Sequence, residues 1–527
     1  MSGPRNLLVI ADRLHTFGAA VPPRVPVGVV VRAGRIAAFG APHEMRALAG
    51  DALELDLSGS TLTPGLTDSH IHLTEWALAR RDVDLRDARA PEEVVPALAN
   101  ARPGPGGWIR GRGWNAAPWA TPPHRNVLDA VAPDRPVVLQ SHDMHALWVN
   151  GAALRAAGID ESSADPPGGR IVRDAHGAPT GLLLENAAAL ITRVLPAPAI
   201  DDVLAAVIDA QAELHGLGIT GVHSLPGIHV PEPDPLPVLQ QLHERDTLRL
   251  RVLHHLAVDH LADAIRIGLR SGFGGEWIRI GGVKLFLDGT LGSRTAWMRA
   301  PYEGEDQCGI RLLEPAAFID TVRHAALAGI ATTVHAIGDA AVALALRVLA
   351  APDLPRAAIP HRIEHVQCCP PDLLAEAGRA GIVCSVQPAH LITDWQAADR
   401  NWGAARGAVT YAFASLRSHG AVLAFGSDAP VEPVDPRLAL FAATERRDLK
   451  GQPAGGWHAT ERIGLADAFR AYTLGPAHAA GIASDGIVPG APADLVAWQG
   501  DPLQAAGENL LRLRVAATIV GGHVVHS

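Results

Sequence analysis

Eight short apolar runs, with helically patterned segments between them, constrain this chain more than any other feature. They are TLTPGLTDSHIHL (61–73), ITGVHSL (219–225), LRVLHHLAV (250–258) and IRIGGVKLFLDG (278–289). ATTVHAIGD (331–339), RIEHVQ (362–367), GIVCSVQP (381–388) and AVLAFGSDAP (421–430) follow. Near-continuous apolar strands alternating with helices imply a parallel sheet covered on both faces. Eight such units predict the α/β class and a TIM-type (β/α)₈ barrel. AAVALALRVLAA after Asp339 and PDLLAEAGRA after His365 supply covering helices. The gap from about Thr74 to Leu217 is too long for one crossover and contains WIRGRGWN, PVVLQSHDMHALWVN and GGRIVRDAHGAPTGLLLE. It reads as an inserted subdomain at about 75–215, after the first barrel strand.

Both chain ends are β-rich. LLVIADR, GVVVRAGRIAAFG and ALELDLSGSTLTPG lie at one end, with RAGRI as a hairpin turn. DGIVPGAPADLVAWQGD and VAATIVGGHVVHS lie at the other, with Gly521-Gly522 as a tight turn. The expected organisation is a small composite β-sandwich from residues 1–60 and 483–527, beside a barrel unit from 61–482.

A net charge of −10 lacks the basic stripe that nucleic-acid binding needs. The apolar run in MSGPRNLLVIADRL is too short for a signal peptide, and no apolar stretch reaches the ~18 residues of a membrane span. A cytoplasmic protein is expected, with a small-molecule substrate and at most a second copy of itself, as a homodimer, for partners. The four cysteines form no CxxC pair, so they read as packed thiols and not as a zinc site.

Polar residues recur at the carboxyl ends of the candidate strands, where barrel enzymes place their sites. In DSHIH, His70 and His72 are two apart on a strand, so both can face one cation. A pair of hydrogen-bonded core histidines would look the same. Lys284 lies inside the apolar run GGVKLFLDG. A buried lysine is costly unless paired or altered, and desolvation helps it lose its proton. The neutral amine can take up carbon dioxide, and the resulting carbamate can bridge two metals. His335 and His365 end the fifth and sixth runs, and Asp428 ends the last in FGSDAP. Asp428 can both ligate a metal and accept a proton from water.

Taken together, TPGLTDSHIH, the lysine of GGVKLFLDGTLGSRTA, HAIGDAAV, RIEHVQ and GSDAPVEP resemble the amidohydrolase superfamily, and within it the YtcJ-like branch that includes N-substituted formamide deformylases. HALWVNGAAL and GAPTGLLLE resemble the same branch, so the likeness runs from about Leu57 to Asp501. It implies a barrel with a β-sandwich and one or two divalent metal ions, usually zinc. By the same resemblance His70, His72 and Asp428 hold the first metal, His335 and His365 the second, and carboxylated Lys284 bridges. One departure is Asn115 in GRGWNAAPW, where relatives often carry Asp.

The activity expected is hydrolysis of a C–N bond in an amide, N-formyl or N-acyl substrate, by water that the metal activates to hydroxide. Asp428 would take the proton from that water and return it to the leaving amine. A deaminase, a cyclic-amide hydrolase or an esterase or carbamate hydrolase are alternatives on the same scaffold. Lys284 argues against the deaminase, which needs no carbamate, and the complete ligand set argues against a non-catalytic binding protein. Substrate contacts are expected from Trp76, His145, His223, Asp288 and Arg294, with Gln387 and Trp395 as further candidates.

Overall fold

A computed structural model describes residues 6–18, 26–116, 119–227, 234–379 and 381–527. The eight apolar runs form one eight-stranded sheet, paired in chain order and parallel throughout. Its strands are Leu66–Ile71, Ile219–Ser224, Arg251–Ala257 and Ile278–Phe286, then Thr332–Ala336, Arg362–His365, Val383–Val386 and Val422–Phe425. Strands such as Thr332–Ala336 and Val383–Val386 are buried at every position, as a sheet covered on both faces requires. Between strands, helices turn one apolar stripe inward. Asp339–Leu349 buries Ala341, Val342, Ala345, Leu346 and Leu349, a helical spacing.

The last strand closes on the first to complete the barrel. Ile71 and Ala429 form a parallel bridge, and the Asp428 N–H donates to the His70 carbonyl at 2.7 Å. Asp68 clamps the same seam: its Oδ1 accepts from the backbone N–H of His70 at 3.1 Å and of Ser427 at 3.0 Å. Gly426 is required there, because a Cβ would stand 2.4 Å from the His70 nitrogen.

Strands from both chain ends pair into one seven-stranded sheet. In it Leu53–Pro64 lies between Leu7–Leu14 and Leu495–Gln499. Leu53–Pro64 therefore includes the TLTP that begins the first apolar run, and the barrel strand itself starts at Leu66. The RAGRI hairpin joins Val27–Arg32 to Arg35–Gly40. Gly521 and Gly522 have φ of 54° and 77°, the left-handed pair that a two-residue hairpin turn needs. This sheet touches the barrel at its amino-terminal face, where Arg251 pairs with Asp494 at 2.6 Å.

Between the first two barrel strands lies a separate six-stranded sheet, with strands from Val83–Asp84 to Pro179–Glu185. The helix Ile200–Gly216, inside the span expected for the insertion, packs instead with the barrel core through Val203, Val207, Ala210 and Leu214. No helix among the described residues is long and apolar enough to cross a membrane.

Candidate metal centre and active site

At the carboxyl end of the barrel, a cavity of about 270 Å³ opens between barrel and inserted sheet. His70, His72, Lys284, His335, His365 and Asp428 all line it. Each comes from the end of a barrel strand, and each is buried. The insertion covers them with Trp114, Asn115, Ser141, Asp143, His145, Leu182 and Leu184.

Asp428 is the hub. Its Oδ1 lies 3.1 Å from His70 Nε2 and 3.3 Å from His72 Nε2. Its Oδ2 lies 3.2 Å from His390 Nε2 and 3.9 Å from His365 Nδ1. Burial alone would raise this carboxyl, but His70, His390 and His72 hold it well below the usual range. Asp428 and His365 have φ of 62° and 71°, a left-handed backbone that side chains other than glycine seldom adopt. Such strain gathers where a side chain must be aimed.

The remaining ring nitrogens are tied from behind. His70 Nδ1–H donates to Glu364 Oε2 at 2.6 Å, and His72 Nδ1–H donates to the Pro226 carbonyl at 2.8 Å. Both Nε2 atoms are thus left facing the cavity, the arrangement that orients metal-binding imidazoles. Arg362 holds Glu364 in turn, donating from Nε to Oε1 at 2.5 Å and from Nη2 to Oε2 at 3.0 Å. The same Nη2 donates to the Ser69 carbonyl and to Ser385 Oγ, each at 2.6 Å. Despite burial, Arg362 and His70 keep Glu364 ionised, well below the ordinary glutamate range. Arg362→Met would leave that buried carboxylate without its guanidinium and with only the His70 N–H, so it should cost about 3–5 kcal/mol. Chemical denaturation should show the loss; a variant as stable as the wild type would mean that the pair carries no structural weight.

The donor set fits a divalent cation. His70 Nε2 and His365 Nδ1 are buried without a hydrogen-bond partner, although both stand near Asp428. The 3.1 and 3.3 Å separations about Oδ1 match the roughly 3.3 Å between neighbouring ligands on a tetrahedral zinc with bonds of about 2.0–2.1 Å. His335 and His365 are pushed well below the ordinary imidazole range, by burial first and by neighbouring cationic groups second. Both are therefore neutral, the form a metal takes. Burial pushes Lys284 down to about 8. Its Nζ sits 4.7 Å from the Phe286 ring centroid, with no carboxylate paired to it among the described residues. Glu364 and Asp428 act on its charge without forming a direct ion pair with it.

His145 lines the cavity, on a turn of the inserted sheet. Its Nδ1–H donates to Glu185 Oε2 at 2.7 Å, and its ring lies 5.5 Å from that of His335. Burial would lower it, but Glu185 raises it to about 9. Asp143 pins the turn to the barrel, its Oδ2 accepting from Thr290 Oγ1 at 2.8 Å and from Ser293 Oγ.

The other expected substrate contacts do not line the cavity. Trp76 is buried in the barrel core, on the helix Leu73–Ala79. His223 lies beneath the site, where its Nδ1 accepts from Arg362 Nη1 at 2.8 Å. Asp288 is fully buried and accepts from the backbone N–H groups of Trp297, Ile337 and Gly338 at 2.9, 3.1 and 2.8 Å. It knits two loops together, with its Oδ1 3.7 Å from His335 Nε2. Arg294 is half exposed and paired with Glu305. Gln387 donates to the Ser385 carbonyl, and Trp395 packs on the barrel core. Conversely, Glu364, His390, Glu432, Glu185 and Asp143 belong to the site and were not singled out from sequence. His390 carried the signal used for the others, a polar residue just past an apolar run, in SVQPAH.

Residues 53–526 match the Amidohydrolase family. The chain is 31% identical over 487 residues to "Putative amidohydrolase YtcJ" of Bacillus subtilis (strain 168), covering 90% of each protein. It is 29% identical to "N-substituted formamide deformylase" of Arthrobacter pascens, covering 99% of this chain and 98% of that protein. Among solved structures, an uncharacterized metal-dependent hydrolase from Pyrococcus horikoshii OT3 superposes with a TM-score of 0.77 at 28% identity. That likeness covers 95% of this chain and 98% of the other.

Proposed function

This chain belongs to the amidohydrolase family of hydrolases, and from that premise we propose that it cleaves a C–N bond in a small amide, N-formyl or N-acyl substrate. One observation carries the reading: buried histidines, a lysine and an aspartate converge on one cavity, with an ionised Asp428 at their centre. His70, His72 and Asp428 are the ligands of a first divalent ion, zinc foremost. His335, His365 and carboxylated Lys284 serve a second. Ions held there would lower the pKa of a water and polarise the scissile carbonyl.

The chain's own groups do the rest. Asp428 accepts the proton of the attacking water and delivers it to the departing nitrogen, base first and acid second. His145, kept positively charged by Glu185, faces the negative charge that develops on the carbonyl oxygen. Trp114, Leu182, Leu184 and Leu291 give the cavity an apolar wall for the substituent of the amide. The inserted sheet closes over the barrel mouth and limits water at the reacting bond. The catalytic unit is residues 61–482, beside a composite end domain of 1–60 and 483–527.

The test is metal analysis together with turnover on N-formyl, N-acyl, carbamate and ester panels. Wild type should carry metal and cleave amides, whereas His70→Ala combined with His72→Ala should lose both. A metal-free yet fully active wild type would end the reading. For His145→Ala, turnover should fall by roughly 10²–10³, the usual loss for one oxyanion donor, while metal content stays unchanged. Loss of metal in that variant would move His145 from the substrate to the ligand set.

A further inference from the structure

Two sets of ligand atoms meet on Asp428. His70 and His72 share its Oδ1, and His365 and His390 share its Oδ2. Within each set, and with Asp428, the donor atoms lie within 4.8 Å of one another. We propose that His390 is a further metal ligand, which with His365 seats a second cation against Oδ2 of Asp428. This deepens the metal-dependent reading above and rests on it.

Three features separate His390 from an ordinary hydrogen-bonded histidine. The first is His365. Its Nδ1 is buried and unpartnered, and it faces the same oxygen that His390 faces. A plain hydrogen bond from His390 to Asp428 would satisfy His390 and leave that nitrogen stranded, which is costly in a buried site. A cation between the three groups satisfies all of them. The second is the far side of the ring. His70 and His72 each turn Nε2 to Asp428 and Nδ1 to an oxygen acceptor. His390 also turns Nε2 to Asp428 and has a carboxylate behind its ring, at longer range: its Nδ1 lies 3.8 Å from Glu432 Oε1, beyond a hydrogen bond, and Thr393 Oγ1 holds that oxygen by donating to it at 2.9 Å. A carboxylate behind the ring is the usual support of a metal-binding imidazole. The third is placement. His390 opens the helix His390–Gly407 just past the seventh barrel strand, and it lines the cavity with the other ligands. His335 belongs to neither set of three; its Nε2 faces the Gly289 carbonyl at 3.2 Å. It would serve the second ion from Nδ1, beside Lys284.

The experiment counts metal and does not depend on turnover. Wild type, His390→Ala and His390→Cys are saturated with zinc, freed of excess metal and analysed for bound ion. His390→Ala should lose about one equivalent, and His390→Cys should regain it, because a thiolate also binds zinc. Loaded with cadmium, His390→Cys should show thiolate-to-cadmium ultraviolet absorption that wild type and His390→Ala lack. Circular dichroism confirms folding; if the alanine variant unfolds, the cysteine variant decides alone. A folded His390→Ala with the full wild-type complement, or a folded His390→Cys without the cadmium band, would overturn the assignment. A chain that cleaves nothing on the substrate panel could still pass this test, and an active hydrolase could still fail it.

Discussion

Asp428→Asn should lower turnover by roughly 10²–10⁴, the range of a lost general base, and leave the fold standing. Asparagine matches the shape of aspartate but cannot take a proton from water at neutral pH. It also removes the negative charge that faces His70, His72, His365 and His390. The backbone is the reason to choose asparagine. Asp428 sits at φ 62°, a region that Asn and Asp tolerate far better than alanine. Its N–H still donates to the His70 carbonyl, and its carbonyl still accepts from the Val431 N–H at 2.8 Å. Alanine would mix a chemical loss with backbone strain; asparagine separates them. Steady-state kinetics on a cleaved substrate give kcat and KM, and thermal unfolding reports the fold. Near-normal turnover in the folded variant would place proton transfer on another group.

The barrel was legible in the sequence because its signal is local. A parallel strand buried on both faces is mostly apolar, so nearly every one of the eight strands announces itself in a few residues; Arg362–His365, with one apolar residue in four, is the exception. The residues that line the cavity from the barrel strands were legible for a related reason: a histidine or aspartate at the end of such a strand stands out against an apolar run. Residues that act through distant partners were not. Glu364 sits beside His365 in sequence, but its work is on His70, on the first strand. Glu185 reaches His145 from forty residues away, across the inserted sheet. Neither pairing leaves a periodic trace. The expected substrate contacts that do not line the cavity share another cause. Asp288 and His223 are polar and lie near strand ends, but backbone N–H groups and Arg362 claim them inside the protein. Sequence shows that a polar side chain is present, and only the three-dimensional partners show whether it is spent on the fold or left for a ligand.

The most discriminating outcome concerns Lys284. We expect its side chain to be carboxylated and to bridge two ions in the active protein. It lines the cavity with His70, His72, His335, His365 and Asp428, is 2% exposed, and has its Nζ 4.7 Å from the Phe286 ring centroid. An ammonium about 4 Å from a divalent ion would be repelled by roughly 4 kcal/mol per unit charge at an effective dielectric near 20. Burial already favours the neutral amine, holding Lys284 at about 8. Attack of that neutral amine on carbon dioxide forms an N–C bond, one nitrogen proton leaves to solvent, and the resulting carbamate reverses the sign and offers two oxygens. Lys284→Ala should therefore lose the second ion and most of the activity while keeping the ion of His70 and His72. Lys284→Arg should do no better, since guanidinium stays charged and forms no such carbamate. Acetate or propionate should restore part of the activity to the alanine variant, by filling the vacated space with a carboxylate. Metal analysis reads the lost ion, and electron density of an active crystal reads the carbamate directly, since denaturation before mass analysis releases it. A bare Lys284 ammonium in such a crystal, remote from any metal, would rule the bridge out and leave the site to its histidines and Asp428.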